Sequence, residues 1–153
     1  MSSLPQMSES VPTAGWNIGM LLRAPHREVA LRLQAAIVSA GFRDLQPAHH
    51  AVLQHLQDEG IRLTEIARRA MLTKSTISQY VAYLEQRGYV RTVPDSTDGR
   101  ARLVLKTEKG RKVEAVAEEA MWALEREWEQ LLGGAGYEQL RGYLAQLARS
   151  SSY

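Results

Sequence analysis

The chain has 153 residues, with 19 Lys and Arg against 17 Asp and Glu, 44% apolar residues and no cysteine. That length buries one core, or a small core and an oligomer interface, but not a second independent domain. The lack of cysteine excludes disulfides, thiol redox sensing and cysteine-ligated metal, and no run of about 18 apolar residues is available to span a membrane, so a soluble cytoplasmic protein is expected.

In chain order, residues 1–15 are rich in Ser and Pro and lack a basic start before an apolar stretch, so they read as a flexible tail rather than a signal peptide. From Trp16 to Ala40, the residues Ile18, Leu22, Val29, Leu33, Ile37 and Ala40 recur at helical spacing, which predicts a long amphipathic helix with a kink or restart at Pro25. A connecting helix is expected from Pro47 to Asp58. Leu63, Ile66, Ala67 and Ala70 share one face of a third helix, Leu63–Ala70, with Thr64 as its candidate cap. After a break at Met71 and Leu72, the Thr73 hydroxyl is placed to cap a fourth helix running to a terminal glycine at Gly88.

This fourth helix has two unlike faces. Ile77, Tyr80, Val81 and Leu84 form an apolar stripe, while Ser75, Thr76, Ser78, Gln79 and Tyr83 lie opposite, with Lys74 at the entrance. A helix whose first two turns are rich in donors and free of carboxylates suits the major groove, where side chains meet base edges and phosphates. Beyond Gly88, the residues Tyr89, Val90, Thr92 and Val93 favour a strand, Pro94 to Gly99 a turn, and Ala101 to Lys106 a second strand: a β-hairpin. Its tip carries Asp98 two residues before Arg100. An arginine on a narrow tip fits the negative potential of the minor groove, and Asp98 either holds it in position or is an ordinary solvated turn residue.

Charge is divided unevenly. Ile61 to Lys112 contains 12 Lys and Arg against 5 Asp and Glu, a net of +7, which leaves 7 against 12, a net of −5, for the rest. A polyanion is attracted to one part of such a chain and mildly repelled by the other.

A second long helix is predicted from Glu108 to Leu132, with Val113, Val116, Ala117, Ala120, Met121, Leu124, Trp128, Leu131 and Leu132 as its stripe. Gly133, Gly134 and Gly136 break it, and a last helix, Tyr137 to Ala148, presents Leu140, Tyr143, Leu144 and Leu147. The terminal helices carry more apolar stripe than a module of about fifty residues can cover, so the surplus is expected to pack against a second copy of the chain; a monomer with a helical cap is the alternative.

The stretch LTEIARRAMLTKSTISQYVAYLEQRGYV followed by DSTDGRARLVLKTEKG resembles the winged helix-turn-helix core of the MarR family of bacterial transcriptional regulators. Its most specific piece is the wing, where Asp98, Arg100, Thr107 and Gly110 fall on the family's Asp-x-Arg and Leu-Thr-x-x-Gly pattern. Lys106 stands where leucine is usual, Gln79 where arginine is frequent, and Tyr83 at an often basic or polar position. The resemblance implies a mainly α fold with a small β-hairpin wing. Residues 16–153 would form a single domain, with a DNA-binding lobe (47–110) between dimerisation helices (16–46 and 111–153). It also implies a homodimer on a pseudo-palindromic double-stranded operator, with half-sites about one duplex turn apart. Ser75, Thr76, Ser78 and Gln79 would read or position bases, Gln79 with a bias toward adenine. Lys74 and Arg69 would hold phosphates, Arg100 would probe the minor groove, and Tyr83, Asp98 and Arg102 complete the expected DNA-binding set.

Many members of this family release DNA when small anionic aromatic compounds bind between the dimer helices and the DNA-binding lobe. Candidate effector residues are Trp16, His49, His50 and Trp122, with His55 and Trp128 nearby in the sequence; a tryptophan at helical spacing is equally a core or interface residue. Neighbouring His49 and His50 point to different faces of a helix, and His26 is isolated, so neither a metal nor a cofactor is expected. No Gly-rich phosphate loop, HExxH or GxSxG motif occurs, which argues against an enzyme. Two function classes remain: a dimeric transcriptional regulator, in the form of a ligand-released repressor, or a winged helix that binds protein without specific DNA binding.

Overall fold

The computed structural model describes residues 13–150, so most of the expected tail lies outside the described residues. Asn17, in an extended conformation, opens α1 (Ile18–Ser39) by accepting the Met20 amide at 3.0 Å. Pro25 lies within α1 and does not end it. Every side chain from Leu21 to Arg27 is exposed there, so the carbonyl that loses its helical partner can turn to water.

The connecting segment is shorter than its sequence predicts. A 3₁₀ turn (Pro47–His49) passes directly into α2 (His50–Leu53), and helix ends there rather than at Asp58. Past Leu53 only Leu56 enters the core, and the exposed Gln54, Gln57, Asp58 and Glu59 offer no stripe to hold further turns. The chain then forms β1 (Ile61–Arg62), a strand too short to announce itself by alternation.

Next come α3 (Leu63–Ala70) and α4 (Lys74–Gln86). The cap position of α3 is Arg62 and makes no side-chain cap bond, so Thr64 does not fill that role. Met71 takes the left-handed conformation (φ 54°), which produces the expected break. Thr73 caps α4 as expected, accepting the Thr76 amide at 3.1 Å. The hairpin consists of β2 (Val90–Asp95) and β3 (Asp98–Lys106), with a tighter tip than Pro94 to Gly99. In the sheet order β1-β3-β2, β2 is an edge strand, where Pro94 can lack an N–H. Val90 opposes Lys106, and Ile61 opposes Val104.

The long helix α5 (Glu108–Leu132) has the predicted bounds and is followed by α6 (Gly134–Ser150). One residue makes the break: Gly133, at φ 72°, adopts a conformation that other residues rarely take, whereas Gly134 and Gly136 belong to α6. The buried core runs through Ile37, Leu45, Val52, Ile66, Ile77, Leu84, Tyr89, Val104 and Val113, joining the lobe to α1 and α5. On the outer side, Arg32 of α1 makes a bidentate pair with Glu127 of α5 at 3.0 and 2.8 Å. No described helix is long and apolar enough to cross a membrane.

The lobe meets the start of α5 in a tight approach. Thr107 caps α5 by accepting the Gly110 amide at 3.1 Å, and its hydroxyl donates to the Gly88 carbonyl at 2.6 Å. The buried Gly110 lies so close to the Tyr89 carbonyl that a Cβ would sit 2.3 Å from that oxygen. The obstacle is backbone and cannot swing aside. Gly110→Ala is therefore expected to lower unfolding stability by about 2 kcal/mol or more, measured by urea denaturation.

Candidate nucleic-acid interface

The beginning of α4 is built by local hydrogen bonds. Thr73 and Thr76 hydroxyls lie 2.8 Å apart, so Thr76 belongs to the cap, while Lys74, Ser75 and Gln79 are exposed and Ser78 is half-buried. Tyr83 differs from the expectation of a free face residue. Its hydroxyl donates to the Asp44 carbonyl at 2.7 Å and its ring stacks on His49 with centroids 4.4 Å apart, so it fixes the C-terminal half of α4 against the lobe.

The wing is held by an anchor absent from the sequence reading. Arg62 of β1 donates through Nε to Asp95 Oδ2 at 2.7 Å, and the Thr97 amide and hydroxyl donate to Asp95 Oδ1 at 2.8 and 2.7 Å. Asp95 is nearly buried, and its pKa is held down to about 2, first by the Thr97 hydroxyl and amide and then by Arg62. Asp98 accepts the Arg100 amide at 3.1 Å and lies 3.9 Å from Arg62. It shapes the backbone before Arg100 rather than gripping the guanidinium.

The Arg100 side chain is exposed and has no partner among the described residues. Arg102 bonds Thr92 Oγ1 at 2.9 Å. Arg69 donates to Glu65 at 2.7 Å, and Glu65, paired first with Arg68 and then with Arg69, is lowered to about 2. Arg69 therefore has to share its charge with Glu65. Arg62, Thr64, Lys74, Asp98, Arg100 and Arg102 line one cleft of about 390 Å³ between the wing and the starts of α3 and α4. Arg62 and Thr64 are additions to the sequence set; no local signal links Arg62 to Asp95, 33 residues away.

The four candidate effector residues do not converge. His49 is buried, and its Nδ1 accepts the Gln46 amide at 3.0 Å, a structural role. Trp16 lies beside Met20, Arg23 and Arg27 at a separate shallow site on α1. His50 and Trp122 do meet, lining a crevice of about 340 Å³ with Val29, Leu33, Lys106 and Glu114. Burial, and then His49, lowers the His50 pKa, which leaves its imidazole neutral at pH 7.

The model of the MarR family matches residues 43–101. The transcriptional regulator HosA of Escherichia coli is 37% identical over 75 residues, which cover 48% of this chain and 56% of HosA. The chain thus spans about half the length of the curated relatives it matches. Among solved structures, a MarR-family transcriptional regulator from Rhodococcus sp. RHA1 is 25% identical with a TM-score of 0.72, covering 95% of this chain and 100% of that one. CouR from Rhodococcus jostii RHA1, bound to p-coumaroyl-CoA, is 25% identical with a TM-score of 0.71, covering 94% and 99%. The repressor CouR bound to a 23-mer DNA duplex aligns with a TM-score of 0.72 at 24% identity, covering 93% and 99%.

Asp95 contributes stability to the wing that is complete above its unfolded pKa near 4 and lost as pH falls through about 2. Thr97→Ala removes the leading cause of the depression, so the Asp95 pKa is expected to rise toward the ordinary carboxylate value, as read by carboxyl-carbon NMR titration.

Proposed function

We propose that the chain is a MarR-family regulator of transcription, dimeric and sequence-specific in binding DNA, acting as a repressor that a small ligand releases from its operator. One observation carries the reading: the free Arg100, on a wing clamped by Arg62 and Asp95, shares a cleft with Lys74 at the entrance of a carboxylate-free helix face. An anchored hairpin with an unpaired arginine is preorganised for a polyanion, since the protein need not break an internal ion pair to bind. In this reading α4 enters the major groove with Ser75, Ser78 and Gln79 toward the bases, and Arg100 enters the neighbouring minor groove.

Dimerisation is supported by apolar side chains left in water. Ile18 and Leu31 of α1, Leu131 of α5, and Tyr143 and Leu147 of α6 are each more than half exposed. An apolar groove between α1, α5 and α6, lined by Leu21, Leu22, Trp128 and Leu144, would take the matching helices of a second copy. Control by a ligand is supported by the crevice at His50 and Trp122, which touches both α1 and the last residue of β3. CouR carries p-coumaroyl-CoA in one structure and DNA in another. Such a regulator works in the cytoplasm.

Two measurements test the reading. Binding-site selection followed by fluorescence anisotropy should yield a palindromic site whose affinity falls steeply with salt. Arg100→Ala should then weaken binding by about 1 kcal/mol or more, that is, at least about fivefold; no complex at low salt would favour a protein-binding winged helix instead. Removing residues 137–153 should convert the dimer to monomer or aggregate in sedimentation velocity, and an unchanged dimer would move the interface elsewhere.

A further inference from the structure

The outer side of α4 carries a different set of side chains from the one its sequence suggests. Thr76 is taken by the Thr73 cap, and Tyr83 by the Asp44 carbonyl and the His49 ring. Ser75, Gln79 and Ala82 remain exposed at i, i+4 and i+7, with the half-buried Ser78 between them, away from the buried Ile77, Val81 and Leu84. That is the spacing at which a helix lying in the major groove meets successive base pairs. Ala82 therefore holds the place on this stripe that residue type alone would give to Tyr83.

The chemistry of the stripe is neutral. Between Ser75 and Gln86, α4 contains no Lys or Arg. Arg87, the first cation after it, is turned toward the lobe, 3.4 Å from Asp44 and over the Tyr83 ring. Glu85, one turn past Ala82, accepts the Thr92 amide and hydroxyl at 2.7 and 2.8 Å, so its carboxylate is committed to β2. The middle of α4 thus lacks the cationic donor that most often recognises guanine, and offers amide, hydroxyl and methyl groups instead. The Ala82 side chain makes no hydrogen bond. Of the groups on base edges in the major groove, the one it matches is the 5-methyl of thymine, where contact removes two apolar groups from water. The Gln79 carboxamide matches N6 and N7 of adenine. The two residues are about 4.5 Å apart along the helix axis, near the rise of roughly 3.4 Å between base pairs, so they meet neighbouring pairs.

We propose that Ala82 is a specificity-determining residue, which packs against the 5-methyl group of a thymine next to the adenine read by Gln79. This assignment rests on α4 entering the major groove in the proposed regulator, and adds what the exposed stripe selects there: an A·T step recognised without a charged side chain. A short side chain suits the task, because it lets the helix approach the base edge closely and has no rotamer freedom to lose on contact.

The test uses the full chain and its operator from binding-site selection, with the thymines of one half-site replaced in turn by deoxyuridine, which deletes the methyl group and keeps the pairing edge. At one thymine, next to an adenine, the change should weaken binding about fourfold, the effect of exposing one buried methyl group. Ala82→Gly should bind the thymine and deoxyuridine operators with equal affinity, and Ala82→Ser, which keeps the helix but sets a hydroxyl against the methyl, should lose most of the preference. Arg100→Ala, which acts at the wing, should retain it in full. Loss of the preference separates contact from structure, because a loosened helix weakens both operators alike. A selected operator in which no thymine methyl affects affinity, or a methyl effect undiminished in both Ala82 variants, would overturn the contact while leaving the proposed regulator standing. Failure of any operator to emerge at low salt would remove both together.

Discussion

The approach of Gly110 to the Tyr89 carbonyl sets the geometry on which the rest of the molecule depends. That oxygen accepts the Thr107 amide at 3.1 Å and also lies 3.0 Å from the Thr107 hydroxyl, so the exit of the sheet and the start of α5 are held by one backbone group. The Tyr89 ring is fully buried, and its hydroxyl donates to Asp44 at 2.5 Å, with Lys109 above the ring face. Burial, and then the Asp44 bond, push the phenol well above its ordinary value, so Tyr89 stays a donor over the whole working range. The direction in which α5 leaves the lobe follows from these contacts, and so does the position of Glu114, one turn past Gly110.

Structure set by short-range chemistry was legible in the sequence. Thr73 caps α4 through a bond three residues along the chain, and α5 runs from the Thr107 cap to the glycine at 133, each boundary marked by its own residue. Features that depend on distant partners were not legible. Nothing near Thr64 shows that β1 runs to Arg62 and leaves the cap of α3 without a side chain, because β1 exists only through its pairing with Val104 and Leu103. The shortness of α2 has the same cause: Leu56 is needed by the core as a single residue, not as part of a stripe.

The candidate interface shows the same division. Lys74, Gln79 and Arg100 were visible as an exposed, carboxylate-poor set, and the fold leaves all three in solvent. Tyr83 and Arg69 looked equally suitable by type, but the first bonds to the Asp44 carbonyl and the second to Glu65. A residue's suitability for DNA depends on which internal partners it lacks, and hydropathy patterns carry no record of that. The same reasoning separates His49 from His50: adjacent in sequence, one is consumed by the Gln46 amide and two tyrosine rings, and the other faces the crevice, 3.4 Å from Gln34 of α1.

Gln34 extends this reasoning from the crevice to the lobe. Its Nε2 donates to the Leu45 carbonyl at 2.9 Å, while its Oε1 faces His50, so one side chain of α1 touches both the buried start of the connecting segment and the crevice wall. Asp44, next to Leu45, holds the hydroxyls of Tyr83 and Tyr89 and thus the C-terminal half of α4. The segment from Asp44 to His50 is therefore held on one side by α1 and on the other by the helix proposed to read DNA. A change in the angle of α1 at the crevice cannot be absorbed by a slack loop, because polar groups of this segment are already bonded to rigid elements on both sides. Movement of α1 must carry the segment with it or break part-buried hydrogen bonds at about 1 kcal/mol each. That cost exceeds thermal energy, so in the proposed function the stiff path from crevice to α4 would give a ligand-driven shift a direct route to the helix proposed to read DNA.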